Sequence, residues 1–580
     1  MKRTLIVVFF LATVMVFWGC LQPESRPHGT VRVRINSEPA TLNGFLLGDA
    51  NKTTILSYLQ WSPLSIDPLG LDWTPVVAEA LPQVDSLIDG RLSVKIRLRK
   101  EARWDDGRPV TGADAVFSLK LLLCPGVNSQ HLKNFYLLME DARVAEKDSQ
   151  TYEVIFRKPY FNAPFLAGDL YLFPEHKTDS TGVMRRYSVR DMLERPDSVA
   201  RDSNIQKLAH WFNTEYHGRR YVFGCGPYRL KSWETDKRIV LERKENWWGD
   251  ALSNKNNVPV FFTARPQTLV FEIIKDEQSA LAALRSGQID LINGISPLAF
   301  EQVDTQQSPL QKFTPNQMAY HALYFNLRHP VLAEKEIRRA LAHLVPTADI
   351  VHVVFRNTVY PAATFIHPTR TEWLNDTLRP YPFNVQYASE VLRKNGWHDS
   401  DKDGIPDKLL QGRRQKLRFT ILTNTGNPAR QNMAEMISAS AAQAGIKLDI
   451  RLMELPQMIE KMRSHDFDMF LGGMVSSVVE SDPFQIWHST AYSMGSNFTG
   501  FSRPEADALI ERYRVTLDRR QRMEQLKKLQ ALVYEEIPVV FIVAEKDRMV
   551  ASARLRGLTV SDQRPGYWLG TVDLERREAE

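Results

Sequence analysis

Apolar and polar residues alternate at positions 92–98: Leu92, Val94, Ile96 and Leu98 fall on one face, Ser93, Lys95 and Arg97 on the other. That period of two predicts a half-buried strand. Thr111, with Asp114 three residues on, has the pattern of a helix start, and an apolar helix is predicted over 115–122. Further on, a β-rich stretch at 268–274 precedes a helix at 276–286 that Gly287 stops, and a strand follows at 288–292. The same order recurs as a strand at 417–423, a helix at 428–444 opened by Pro428, and a strand at 446–452 after Gly445. Ser502 with Glu505, and Asp518 with Gln521, predict two more helix starts. The second helix places Met523, Leu526, Leu529 and Leu532 on one face, and an apolar strand at 537–543 follows it. Two separated strand–helix–strand regions, without any fixed-period repeat, predict a mixed α/β protein of more than one lobe.

Length and composition sharpen this. A chain of 580 residues, 43% hydrophobic and 24% charged, is globular and too long for one core, so two to four domains are expected. The 74 basic and 68 acidic residues leave a net charge of +6. The densest basic stretch, 519–528, alternates with Leu and Met at helical spacing, which reads as a solvated helix face and not a nucleic-acid site.

The N-terminus changes the picture more. Lys2 and Arg3 precede an uncharged run at 5–18, and Gly19-Cys20 closes it. Fourteen helical residues reach about 21 Å against a hydrocarbon core of about 30 Å, so residues 1–19 read as a secretion signal. Gly19-Cys20 resembles the lipobox of bacterial lipoproteins, which would make Cys20 a lipidated anchor and 20–30 a tether; a plain signal with cleavage nearby is the alternative. Cys124 and Cys225 then remain, either as a pair or as two buried thiols.

The chain contains no HExxH, CxxC, GxSxG, GxxxxGK[ST] or strand-borne GxGxxG pattern, which favours a binding protein over an enzyme and implies no organic cofactor. One cluster stands out. Asp399, Asp401, Asp403 and Asp407 surround Gly404, an arrangement that allows a loop to wrap carboxylates around a structural calcium ion. Leu410 stands where an EF-hand loop has Glu, and a solvated turn is the other reading.

Several stretches in order resemble the family 5 extracellular solute-binding proteins, the oligopeptide- and dipeptide-binding receptors of ABC importers. They are the run from Arg99 through Trp104-Asp105-Asp106-Gly107 to Thr111, then Gly224-Cys225-Gly226-Pro227-Tyr228 with Trp233 and Trp247-Trp248-Gly249. Ser286-Gly287-Gln288-Ile289-Asp290, Asn326 with Arg338-Arg339-Ala340-Leu341, and Asp482-Pro483 continue the series. Residue by residue, Asp105-Asp106-Gly107 reads as a turn and Trp104 and Trp233 as core aromatics.

The resemblance implies a periplasmic-binding-protein type II α/β fold of two lobes, with a third, smaller inserted lobe and a two-strand hinge. Lobe I would hold 31–58, 171–318 and 544–580, lobe II 59–170, and lobe III 319–543, with crossings near 320–325 and 540–544. The stretch 174–223 is longer and more polar than the family carries. The ligand would lie between lobes I and III, its backbone paired with Gly473-Met474-Val475-Ser476-Ser477 before Asp482-Pro483. Peptide receptors place an Asp three residues before that of Asp-Pro, to meet the ligand's α-ammonium. Val479 stands there, so Glu480 or Ser477 would take the role. The resemblance further implies a monomer in the bacterial cell envelope, facing periplasm or exterior, that captures peptides and delivers them to an ABC permease and its ATPase subunits. A metal complex, haem or sugar as ligand, or an envelope enzyme, are the competing readings.

Overall fold

The computed structural model describes residues 29–253 and 258–574; residues 1–19, expected to be a secretion signal, and Cys20 lie outside them. No described helix is long and apolar enough to cross a membrane. Mixed α/β is the architecture, built on three main sheets. A seven-stranded sheet runs in the order Leu310–Phe313, Met549–Ser552, Leu291–Ile292, Thr30–Ile35, Thr268–Ile273, Arg238–Arg243 and Tyr228–Glu234. Thr30–Ile35 is parallel to both Thr268–Ile273 and Leu291–Ile292, so these three strands end on one edge of the sheet. A six-stranded sheet runs Tyr360–Pro361, Val539–Lys546, Asn316–Phe325, Met469–Val475, Arg418–Asn424 and Lys447–Met453. The third, four-stranded, is Gln83–Ser86, Leu92–Arg97, Asp148–Phe156 and Met139–Ala145.

Local sequence explains most of these elements. Leu92, Val94 and Ile96 are buried as alternation requires; Ser93 is buried too, its hydroxyl donating to Glu153 at 2.5 Å. Thr111 and Asp114 form a capping box, with the Thr111 amide donating to Asp114 Oδ2 at 2.9 Å, and helix Gly112–Leu123 follows. Asp276 and Asp518 cap their helices through the amides of Ser279 and Gln521. Two local expectations fail. Arg503, not Ser502, is the N-cap of helix Pro504–Val515, and no side chain caps it. Ile537 is not in a strand: it takes a left-handed backbone, φ 51°, as C-cap of helix Arg519–Glu536, and the strand starts at Val539. Buried Arg338 makes that end possible by donating to the carbonyls of Glu536 and Ile537 at 2.7 and 3.0 Å.

The glycines of Gly224-Cys225-Gly226 are there for a close backbone approach. A Cβ on Gly224 would lie 2.0 Å from the Leu59 carbonyl oxygen, and one on Gly226 2.7 Å from that of Tyr58. The Cys225 carbonyl accepts from both Trp247 and Trp248 indoles. Asp105 is more than a turn residue: it accepts from the Gly224 amide at 2.9 Å and pairs with Lys244 at 2.6 Å. Trp104 is buried, whereas Trp233 is half-buried beneath Arg219. Cys124 and Cys225 are free, buried thiols, both pushed up to about 12 by burial. Residues 174–223 form six short helices from Glu175–Thr178 to Glu215–Arg219.

The chain passes between the seven- and six-stranded sheets at 314–315 and 547–548. Positions 320–325 and 540–544, expected as the crossings, lie inside the six-stranded sheet. Antiparallel pairing of the two strands starts already at Asn316↔Lys546 and runs to Tyr324↔Val539. The Asp547 amide donates to the Pro315 carbonyl at 2.8 Å, which ties the two passages together.

Candidate functional site

Strand Met469–Val475 is hydrogen-bonded along one side to Asn316–Phe325, from Ala319↔Val475 to Phe325↔Met469. On its other side Arg418–Asn424 pairs only with Met469 and Phe470. Past Phe470 that side has no strand neighbour among the described residues, although the Thr423 hydroxyl donates to the Leu471 carbonyl at 3.1 Å. Gly473 and Val475 are exposed there, and Met474, Ser476 and Ser477 half-buried. Such an edge offers unpaired amides and carbonyls to an added strand. Ser476 continues the line by donating to the Met318 carbonyl at 2.6 Å, and the Ser477 carbonyl accepts from Arg370 at 3.4 Å.

Beneath the strand runs a line of charges that sequence patterns do not reveal. Arg430, in the first turn of helix Pro428–Gln443, donates to Asn424 Oδ1 at 2.6 Å and to His321 Nδ1 at 3.3 Å. The other ring nitrogen of His321 pairs with Glu545. Burial pushes Glu545 up, but the hydrogen bond and charge of His321, with Arg548 and Arg430, overcome it and hold the carboxyl down at about 2. A Cβ on Gly473 would come within 2.6 Å of Arg430 Nη2. Glycine therefore leaves room for the guanidinium against the open edge.

Glu480 and Asp482, expected at the ligand, both have partners within the protein. Both Glu480 oxygens are taken by Arg522, at 2.5 and 2.8 Å, in a bidentate pair. Asp482 accepts from Arg514 at 2.8 Å and from the Tyr160 hydroxyl at 2.9 Å. Both cations lie over rings: Arg522 over Phe161, Arg514 over Tyr160. These residues join the segment containing the four-stranded sheet to the six-stranded body. An α-ammonium at Glu480 would have to displace Arg522. The basic run 519–528 is likewise not wholly solvated, because Arg522 is buried in this contact.

A cleft of about 850 Å³ opens where strand ends and crossings meet. Arg34, Ile35, Asn36 and Asn293 line it from the C-terminal ends of parallel strands, Gln317 from the start of strand Asn316–Phe325 and Asp547 from the second crossing. Ile66, Trp73, Tyr136 and Asp169 close it from the inserted segment. Residues 473–477 are not among its lining, but their continuation reaches its rim: Val478 and Val479 pack with Met318 against Ile66, Leu71 and Trp73. The expected strand and the cleft are thus adjacent, and the cleft walls were not anticipated.

In the acidic loop, Asp399, Asp401 and Asp403 bring oxygens within 4.8 Å of one another, all exposed. Asp407 does not join them. It is buried, bonded to Ser400 and paired with Arg414. Lys416 binds both Asp401 and Asp403, and Asp399 accepts the amides of Asp403 and Gly404, so the loop satisfies most of its carboxylates internally.

Residues 73–496 match the family described as bacterial extracellular solute-binding proteins, family 5. The chain is 24% identical over 535 residues to the oligopeptide-binding protein AppA of Bacillus subtilis, covering 91% of this chain and 89% of that one. It is 23% identical over 473 residues to the dipeptide-binding protein of Escherichia coli, covering 78% of each. The solved structure of AppA from B. subtilis in complex with a nonapeptide superposes with a TM-score of 0.73 at 21% identity, over 94% of this chain and 99% of that one. NikA from Brucella suis in complex with Fe(III)-EDTA gives 0.74 at 18%, over 95% and 100%.

Proposed function

Because the chain belongs to the bacterial extracellular solute-binding proteins of family 5, we propose that it captures peptides in the cleft and presents them to an ABC permease. The observation that carries this reading is the open edge at 472–475 beside the cleft. An extended peptide can add there as a strand, its main chain supplying affinity without a demand on sequence. In this reading the two crossings act as a hinge, lobes I and III close on the peptide, and Cys20 carries a lipid that holds the mature chain at a membrane. The absence of catalytic patterns favours carriage over chemistry.

A second reading, a non-peptide solute such as a metal chelate, draws support from one feature: no carboxylate between 473 and 482 is left unpaired to meet an α-ammonium.

Calorimetry with a pool of unmodified pentapeptides, and with the same pool N-methylated at alternate backbone nitrogens, separates the two readings. Removing two or three main-chain donors should weaken binding at least ~30-fold. Equal binding of both pools, or of neither, contradicts capture by strand addition.

A further inference from the structure

Three carboxylates line the cleft, Asp49, Asp169 and Asp547. Asp49 caps a helix by accepting the Lys52 amide at 2.9 Å, and Asp547 accepts from Asn293 at 3.2 Å. The cations of the cleft are engaged as well: Lys52 bonds the Leu46 carbonyl, Arg34 the carbonyls of Ile274 and Lys275, and the charge of Arg564 acts on Asp547. Asp169 differs from all of them. It follows helix Ala163–Gly168, its amide donates back to the Phe165 carbonyl at 2.6 Å, and its side chain forms part of the cleft wall. Among the described residues its carboxylate has neither a hydrogen-bond donor nor a cationic partner. Asp169 is exposed, and the protein crowded around that part of the wall raises its carboxyl to about 6. Tyr136 and Tyr171 stand beside it, their phenols pushed up by burial and then by its charge.

We propose that Asp169 receives a cationic group of the bound solute, an ammonium or a guanidinium, which makes it the charge anchor that the segment 473–482 lacks. The inference rests on the solute-binding reading. A carboxylate exposed in a concave wall without donors keeps its water while the cleft is open; a solute that fills the cleft displaces that water, and a cationic group on the solute supplies the opposite charge that offsets the loss. Tyr136 and Tyr171 supply aromatic surface to the same group. Two sources carry this chemistry, a peptide's α-ammonium and a basic side chain.

The test uses the full mature chain and its Asp169→Asn variant, with calorimetry on four pentapeptide pools. The pools combine a free or acetylated N-terminus with a lysine or norleucine at each position in turn. Native protein should lose at least ~10-fold in affinity when the relevant cation is removed. Loss on acetylation identifies the α-ammonium, and loss on replacing lysine by norleucine identifies a side chain. In the variant this preference should fall below ~3-fold, as a double-mutant cycle requires. Asn keeps the shape and removes an unpaired charge, so the variant's melting temperature should not fall. Peptide binding without any cation preference, or a preference that survives in the variant, overturns the proposal and leaves peptide capture standing. Should no pool bind, the peptide reading falls instead. Spermidine, arginine amide and norleucine amide then test Asp169 by thermal shift: stabilisation by the two cations but not by norleucine amide, lost in Asp169→Asn, upholds the anchor, and its absence overturns it.

Discussion

At the scale of single residues, the family-like stretches of the sequence turn out to be structural. Asp290 is buried, accepts the Arg32 amide and holds Arg554 with both oxygens at 2.6 Å, so it fastens the C-terminal return to the central strand. Gly224 is dictated by the Leu59 carbonyl. Gly224→Ala forces backbone apart where no side chain can yield, and we expect a loss of about 3 kcal/mol, seen as a lower urea midpoint with unchanged slope. A near-native midpoint would show that the two backbone segments are not in register there.

Asp169 gives a second expectation. A carboxyl held at about 6 when folded and about 3.9 when unfolded binds more protons in the folded state. Its contribution is therefore present below pH ~4 and is lost as pH rises toward 6. Of the groups around it, Lys52 at about 8 and the raised phenols of Tyr136 and Tyr171 keep their charge across that window, whereas His131, lowered by burial and by Lys52, does not. In a His131→Gln background, unfolding free energy against pH should fall more steeply between pH 4 and 6 with Asp169 than with Asn. Superimposable profiles would place the carboxyl in bulk solvent. None of this was legible in the sequence, because an Asp in a Gly-Asp-Leu stretch carries no periodic or motif signal. Its meaning comes from walls contributed by segments a hundred residues apart.

At the scale of elements, period and capping residues located strands and helices well, and failed where tertiary contacts intervene. Helix Arg519–Glu536 shows this. Its buried face is Arg522, Leu526, Leu529, Gln530 and Val533, rotated from the Met523–Leu532 stripe because Arg522 turns inward to meet Glu480. Asp482 and Arg514 form the companion contact, and the Phe161 amide bonds the Arg514 carbonyl at 2.9 Å. These two ion pairs are half-buried and hydrogen-bonded, so removing one partner leaves an unmet charge. Arg514→Ala should loosen the inserted segment from the six-stranded body while each keeps its own core. Hydrogen exchange should speed up in 158–168 and 480–486 with little change in strand Leu92–Arg97. Uniform acceleration, or none, would deny these pairs that role.

At the scale of the whole molecule, the fold class followed from two separated strand–helix–strand regions, but the order of strands did not. The seven-stranded sheet gathers strands from 30 to 552, and pairings over such distances leave no local trace. The crossings were misplaced by several residues for a related reason. Apolar β-like sequence continues through 320–325 and 540–544, while the breaks lie at Thr314-Pro315 and Asp547-Arg548. What unites the scales is a cleft at strand ends, an open strand beside it and a frame of two sheets joined twice. The most direct test is what occupies that cleft. The chain without its first 19 residues, purified gently from cells grown on peptide-rich medium, can be unfolded in acid and the released molecules identified by mass spectrometry. We predict a mixture of linear peptides sharing a narrow range of lengths and varied sequence. A single non-peptide solute recovered at one equivalent per chain would contradict it.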